Sequence, residues 1–204
     1  MEENITTKDD EPIEEPNPLD RLPRSIKSSG SEARSLETIK AAIDRENLRY
    51  DPHYQRQYIT EANQKWRNEL IESVLTRCPI PSIYFCRKPD GSEEIIDGQQ
   101  RVRTLIDFMD KVKDGKGWKL NTRHFKSSAF TEAQLRELHN KSFNQLRDSY
   151  PLYSNRILAY TLTIQAFEES PEWPAFEIYL RLNSSSTNLK AMELMKAKHS
   201  ESEV

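Results

Sequence analysis

Apolar residues first fall into a helical rhythm after Ser35, where Leu36, Ile39 and Ile43 recur at spacings of three and four. Upstream, residues 1–32 are rich in Pro, Glu, Ser and Asn with few large apolar side chains, and they read as a disordered tail. "NLRYDPHYQRQYIT" (47–60) reads as extended, since Pro52 excludes a regular helix. A second helix is predicted over about 61–77, where Trp66, Leu70, Ile71, Val74 and Leu75 form a stripe that Pro79 and Pro81 end. "SIYFC" (82–86) and "EEIID" (93–97) flank the turn "KPDG" (88–91) and predict a hairpin. Val102, Leu105, Ile106 and Met109 predict a third helix over about 99–110, followed by a loop at 113–119. Thr131 and Gln134 form a capping box for a helix to about 139, and 142–147 make a shorter one. "RILAYTLTIQ" (156–165) is β-branched and partly alternating, so it predicts a strand. A helix follows from about 173, carrying Trp173, Phe176, Tyr179 and Leu180. The polar loop 183–188 then leads into a last helix with Leu189, Met192 and Met195. The domain therefore spans 33–198, with 199–204 as a tail.

Composition narrows the class. Charged residues are 31% and hydrophobic ones 35% of the 204, and no apolar run approaches the ~18 residues of a membrane span. The acidic N-terminus has no apolar signal region, and Cys78 and Cys86 form no zinc-like pair, so a reduced, cytoplasmic setting is expected. The chain holds 30 Lys and Arg against 33 Asp and Glu; residues 1–20 carry eight acids and one base, leaving 29 bases against 25 acids in the body. A basic body with an acidic arm is compatible with a polyanionic ligand. The arm itself reads as a solvated tail, with an autoinhibitory mimic of nucleic acid as the second reading.

The chemistry is found mostly by exclusion. Five glycines (30, 91, 98, 115 and 117) build neither GxGxxG nor a Walker loop, HExxH and GxSxG are absent, and the four histidines are scattered. What stands out is "EIIDGQQRVR" (94–103), a strand meeting Asp97-Gly98 and then Gln99, Gln100, Arg101 and Arg103 at a helix start. Cations are disfavoured there by ~0.3–1 kcal/mol. In one reading a phosphate at the free N–H groups offsets that cost and engages the arginine fork. In the other, Asp97 caps the helix and Arg101 pairs with it or with a nearby Glu. "YQRQY" (54–58) repeats a Gln–Arg pair in Gln55 and Arg56, read either as edge-strand polarity or as the second wall of one polar pocket.

The run from "LRYDPHYQRQYIT" through "KWRNELIESVLTRCPIPSIYF" to "EIIDGQQRVRTLIDFM" resembles the N-terminal domain of GmrSD-type restriction endonucleases. That family's hallmark is "IDGQQR" after a "P-I-P-x-I-Y" strand, with an earlier "Y-Q-R". "FEIYLRLNSSSTNLKAMEL" (176–194) is similar to a later family segment, and the likeness covers about 35–197. It implies a ParB/sulfiredoxin-like α/β (α+β) fold: a small mixed sheet with flanking helices, the motif lying at a nucleotide or phosphate site. It also implies a role in defence against foreign or modified DNA. Asp97, Gly98, Gln99, Gln100 and Arg101 match the motif, Gln55 and Arg56 the earlier pair, and Asn183 and Glu193 the later segment. Family members commonly continue into a helical region and an HNH-type nuclease domain, whereas this sequence stops at Val204 and carries "SSST" where a Gly-containing loop is usual.

Three functions follow as expectations. The first is a nucleoside-triphosphatase in which Asp97 positions a divalent metal, Mg²⁺, or a water, while Gln100 and Arg101 act on the phosphates. Gln55, Arg56, Gly98, Gln99, Arg103 and Asn183 would then complete the binding site. The second is a non-catalytic sensor of nucleotide or DNA that regulates a separate nuclease. The third, a degenerate fold kept for protein contacts, is disfavoured by the intact motif. Expected partners are DNA, bound weakly by the isolated chain, and an HNH-type nuclease subunit docking on 189–197.

Overall fold

The computed structural model describes residues 25–50, 63–110 and 118–184, with side chains to Leu182. This part of the chain forms five strands and seven α-helices. The strands β1 (Ser28–Ser35), β2 (Leu48–Arg49), β3 (Ile83–Arg87), β4 (Glu93–Asp97) and β5 (Thr161–Glu168) form one sheet in the order β1-β5-β3-β4-β2. The β1–β5 and β3–β4 pairs are antiparallel; β3–β5 and β2–β4 are parallel. This is the small mixed sheet with flanking helices that the sequence led us to expect.

Local chemistry explains the helices. In α1 (Leu36–Asp44) Ser35 caps the first turn by accepting from the Thr38 amide. Asn63 does the same for α2 (Gln64–Thr76), which ends at a left-handed Arg77. After α3 (Gln99–Met109), a 3₁₀ turn at Thr122–His124 leads to α4 (Glu132–Leu138) and α5 (Phe143–Ser149). Both short helices have complete capping boxes, from Thr131 with Gln134 and Ser142 with Gln145.

Two expectations need correction. The strand expected from residue 156 begins only at Thr161, because Arg156–Leu158 close α6 (Pro151–Leu158). Pro151 at the first helical position starts that helix. Inward-facing positions then switch from helical spacing (Ser154, Ile157) to alternation (Tyr160, Leu162, Ile164, Ala166). The ordered fold also begins earlier than position 33: Ser28–Glu32, assigned above to the tail, belong to β1 and pair with β5. Their polar composition suits an edge strand, which the hydrophobic pattern does not reveal. Residues 1–24 of that tail, the Gln55–Arg56 pair and the helix at 189–197 lie outside the described residues.

Both sheet faces are covered. On one, Ile83, Phe85, Ile95, Leu162 and Ile164 meet Leu36, Ile71, Val74, Leu105 and Leu146 of the helices in the main core. On the other, α7 (Ala175–Ser184) lays Phe176, Ile178 and Tyr179 against Cys86 and Ile96. Among the described residues no helix is long and apolar enough to cross a membrane.

Candidate functional site at the β4–α3 turn

The motif sits where β4 leaves the sheet. Ile95 and Ile96 are fully buried on opposite faces, so the strand is clamped from both sides up to Asp97. α3 is anchored by Val102, Leu105, Ile106 and Met109, all in the main core. The residues between these anchors are held in place by the packing on either side.

Gly98 makes the turn. Its φ of +90° is one that an L side chain rarely adopts, and a Cβ there would lie 2.5 Å from Ile83 Cδ1 and 3.0 Å from Arg101 Nη2. The backbone thus passes directly over Ile83, with no space for any side chain. Gly98 is also the helix N-cap, and no side chain caps the first turn. Asp97 therefore does not cap α3, contrary to the second reading above.

That reading holds for Arg101. Its Nη2 donates to Asp97 Oδ2 at 3.2 Å, and its Nη1 donates to the Pro81 carbonyl at 2.5 Å and the Ser82 carbonyl at 3.4 Å. The guanidinium folds back over the turn and ties α3 to the segment entering β3. Burial pushes the Arg101 pKa down, opposed by the charges of Asp97 and Tyr84. The cation at the wrong helix end is compensated within the chain: the helix dipole disfavours it, but a carboxylate and two carbonyls receive it. Asp97 remains the open member, its side chain 40% exposed against 17% for Arg101.

The other motif residues divide. Gln99 is buried at the helix start. Gln100 is half-buried, and its Oε1 has no hydrogen-bond partner among the described residues. An inaccessible amide oxygen of this kind usually has a partner. Arg103 turns aside, 4.0 Å from Asp107 and 6.0 Å from the Tyr50 ring. Asn183 lies on α7, distant in sequence, and its side chain is not described. The acceptors for Arg101 escaped the sequence reading because they are backbone carbonyls. Their one signal is the "PIPSIY" run, whose prolines fix that segment's course.

A second polar cluster was also missed. Glu93 accepts from Arg34 and Arg87, and Glu32 accepts from the same two arginines, at 2.6 Å and 3.0 Å. Burial pushes the Glu93 carboxyl up, but bonds from Arg34 and then Arg87 outweigh it and hold the group below its ordinary range. The network joins β1, β3 and β4 across the sheet and is closed on itself, so it reads as a structural tie.

The described residues thus form a five-stranded mixed α/β domain with a glycine-hinged Asp-Gly-Gln-Gln-Arg turn between a buried strand and a helix. The model of the family "GmrSD restriction endonuclease, N-terminal domain" matches residues 38–200, and the chain belongs to that family. It is accordingly a component of a restriction endonuclease system. No curated protein and no solved structure matches the chain.

Proposed function

We propose that the β4–α3 turn binds the phosphates of a nucleoside triphosphate and that the domain hydrolyses it while acting on DNA within the restriction system. The observation that carries this reading is Gly98: backbone packed on Ile83 without room for a Cβ, opening a helix whose first turn has no side-chain cap. Backbone N–H groups at such a start can approach an anion closely and carry the positive end of the helix dipole. The unpartnered Gln100 Oε1 beside it supports a ligand that would supply a hydrogen-bond donor.

Asp97 fits a Mg²⁺ ion, because that ion is commonly held by one or two carboxylates together with substrate phosphates. Among the described residues no group of three or more His, Cys, Asp or Glu could hold a metal ion. Bound there, Mg²⁺ would neutralise phosphate charge and polarise the phosphorus centre. The chain's own contribution is an exchange. A phosphate entering the turn competes with Asp97 for the Arg101 fork, which suits phosphate and carboxylate alike. The carboxylate so released is free to orient a water or a metal.

A sensor without turnover is the second reading. It is favoured by Arg101, whose donors already have internal acceptors. Assay of nucleotide hydrolysis with Mg²⁺ separates the two. Turnover by the native chain that is lost in Asp97→Ala, with folding retained, supports the enzyme; tight nucleotide binding without turnover supports the sensor; neither binding nor turnover sinks both.

A further inference from the structure

Away from the β4–α3 turn, Lys119, Leu120, Asn121, Arg123, His139 and Asn140 line a cleft of about 240 Å³. No carboxylate is among them. Arg34, Arg87, Lys88 and Arg101 are held in ion pairs, whereas Lys119 and Arg123 are exposed and have no acidic partner among the described residues. His139 directs Nδ1 to the Thr122 hydroxyl at 3.0 Å. Asn121 accepts from the Arg123 amide through Oδ1, so its NH₂ group is the part left for other contacts, 3.4 Å from His124 Nε2.

The walls are fixed to the core. The Leu120 amide donates to the Lys141 carbonyl at 2.9 Å, and the Asn140 amide donates to the Leu120 carbonyl at 2.7 Å. Leu120 is 1% exposed, and the Asn121 amide donates to the buried Asn68 side chain at 2.7 Å. Asn140 is held at φ +58°, in the left-handed region that non-glycine residues rarely occupy. Two loops are thus pinned face to face, presenting cations and amides to one cleft with no acid among its described lining residues.

We propose that this cleft binds a backbone phosphate of nucleic acid, as a contact separate from the β4–α3 turn. The chemistry is that of the phosphodiester: a diffuse anion taken by Lys, Arg and amide donors, which sets position on a duplex and carries no sequence information. The proposal rests on the reading of the chain as DNA-acting, but not on nucleotide binding at Asp97–Arg101.

The test is a salt titration of the affinity of the full chain for a 20-base-pair duplex, a length of about two helical turns chosen to span several phosphates. Replacing Lys119 and Arg123 together by Gln should lower the slope of log K against log salt by about 1.8, since each neutralised phosphate contributes about 0.9. Arg45→Gln with Arg147→Gln, an equal charge change at exposed sites elsewhere, should leave the slope as it is. An unchanged slope in the cleft variant, an equal loss in the control pair, or no duplex binding by the native chain would each overturn the assignment. Thermal stabilisation by inorganic phosphate that depends on Lys119 and Arg123 without any change in duplex slope would make this a free-anion site and also overturn it. Nucleotide-induced stabilisation, measured in parallel, should be equal in native and cleft variant. Its absence from both would count against the turn, leaving the duplex result to stand.

Discussion

Among the described glycines Gly98 bears the strictest demand, and its substitution is informative in both directions. Gly98→Ala imposes a strained φ and a contact of 2.5 Å with Ile83 Cδ1. Each effect costs about 1–3 kcal/mol. Chemical denaturation should show their sum, a loss of about 2–6 kcal/mol. Ile83→Val removes the offending Cδ1, so the double variant should recover the packing part of the loss and retain the φ part. A purely additive result would mean that Ile83 moves aside and that the close approach is unimportant. Asp97 behaves differently. Its side chain is 40% exposed and caps no helix, so Asp97→Ala should lower stability by only about 1 kcal/mol while removing nucleotide turnover. A Tm drop large enough to account for the lost activity would make Asp97 a structural partner of Arg101 and nothing more.

Among the elements, the tie between β1, β3 and β4 sets an acid limit. The Glu93 carboxyl titrates below its unfolded value, so its contribution is fully present above the ordinary Glu value of about 4.3 and is lost as pH falls through the lower folded value. Native protein should exceed Glu93→Gln in stability by ~1–3 kcal/mol at neutral pH, with the gap narrowing below about pH 4. Parallel curves through that window would remove the network from the acid response. On the opposite face, Phe176 of α7 is buried against the sheet, and Phe176→Ala should cost ~3–5 kcal/mol by urea titration. Much of this architecture was legible in the sequence. The stripe of α2, the β3–β4 hairpin, the capping box at Thr131 and the start of α3 all follow from period, turn and cap chemistry, because each is encoded in one short stretch of sequence. β1 was not legible, since an edge strand written Ser-Ser-Gly-Ser-Glu-Ala-Arg-Ser is defined by its pairing with β5 and not by its own side chains. The site was half legible. The motif and its turn could be read, but the direction of Arg101 depends on two backbone carbonyls, which leave no mark in residue type.

For the molecule as a whole, the family membership and the proposed phosphate chemistry predict a stabilising ligand. A nucleoside triphosphate at 100 times its dissociation constant should add ~2.7 kcal/mol, read as a thermal shift. A shift of the same size in Arg101→Ala would show that the nucleotide sits elsewhere. The purified chain with Mg²⁺ should give little double-strand cleavage of plasmid, with an HNH-type polypeptide supplying that step; robust linearisation that depends on Asp97 would overturn this division. The sheet topology has one more consequence, for synthesis. Ser29 of β1 and Glu168 beside it are 139 positions apart, although their strands are neighbours. A ribosome adding 5–20 residues per second delivers β5 roughly 7–28 s after β1. The β3–β4 hairpin and α3 can form during that interval from neighbouring sequence, while β1 has no sheet to join. Because β5 also lies between β1 and β3, the sheet closes in one late step that docks both strands. A nascent chain halted before residue 161 should therefore hold its motif turn in place with an open sheet edge, which makes the late stage of translation the point at which this fold is most exposed to misassociation.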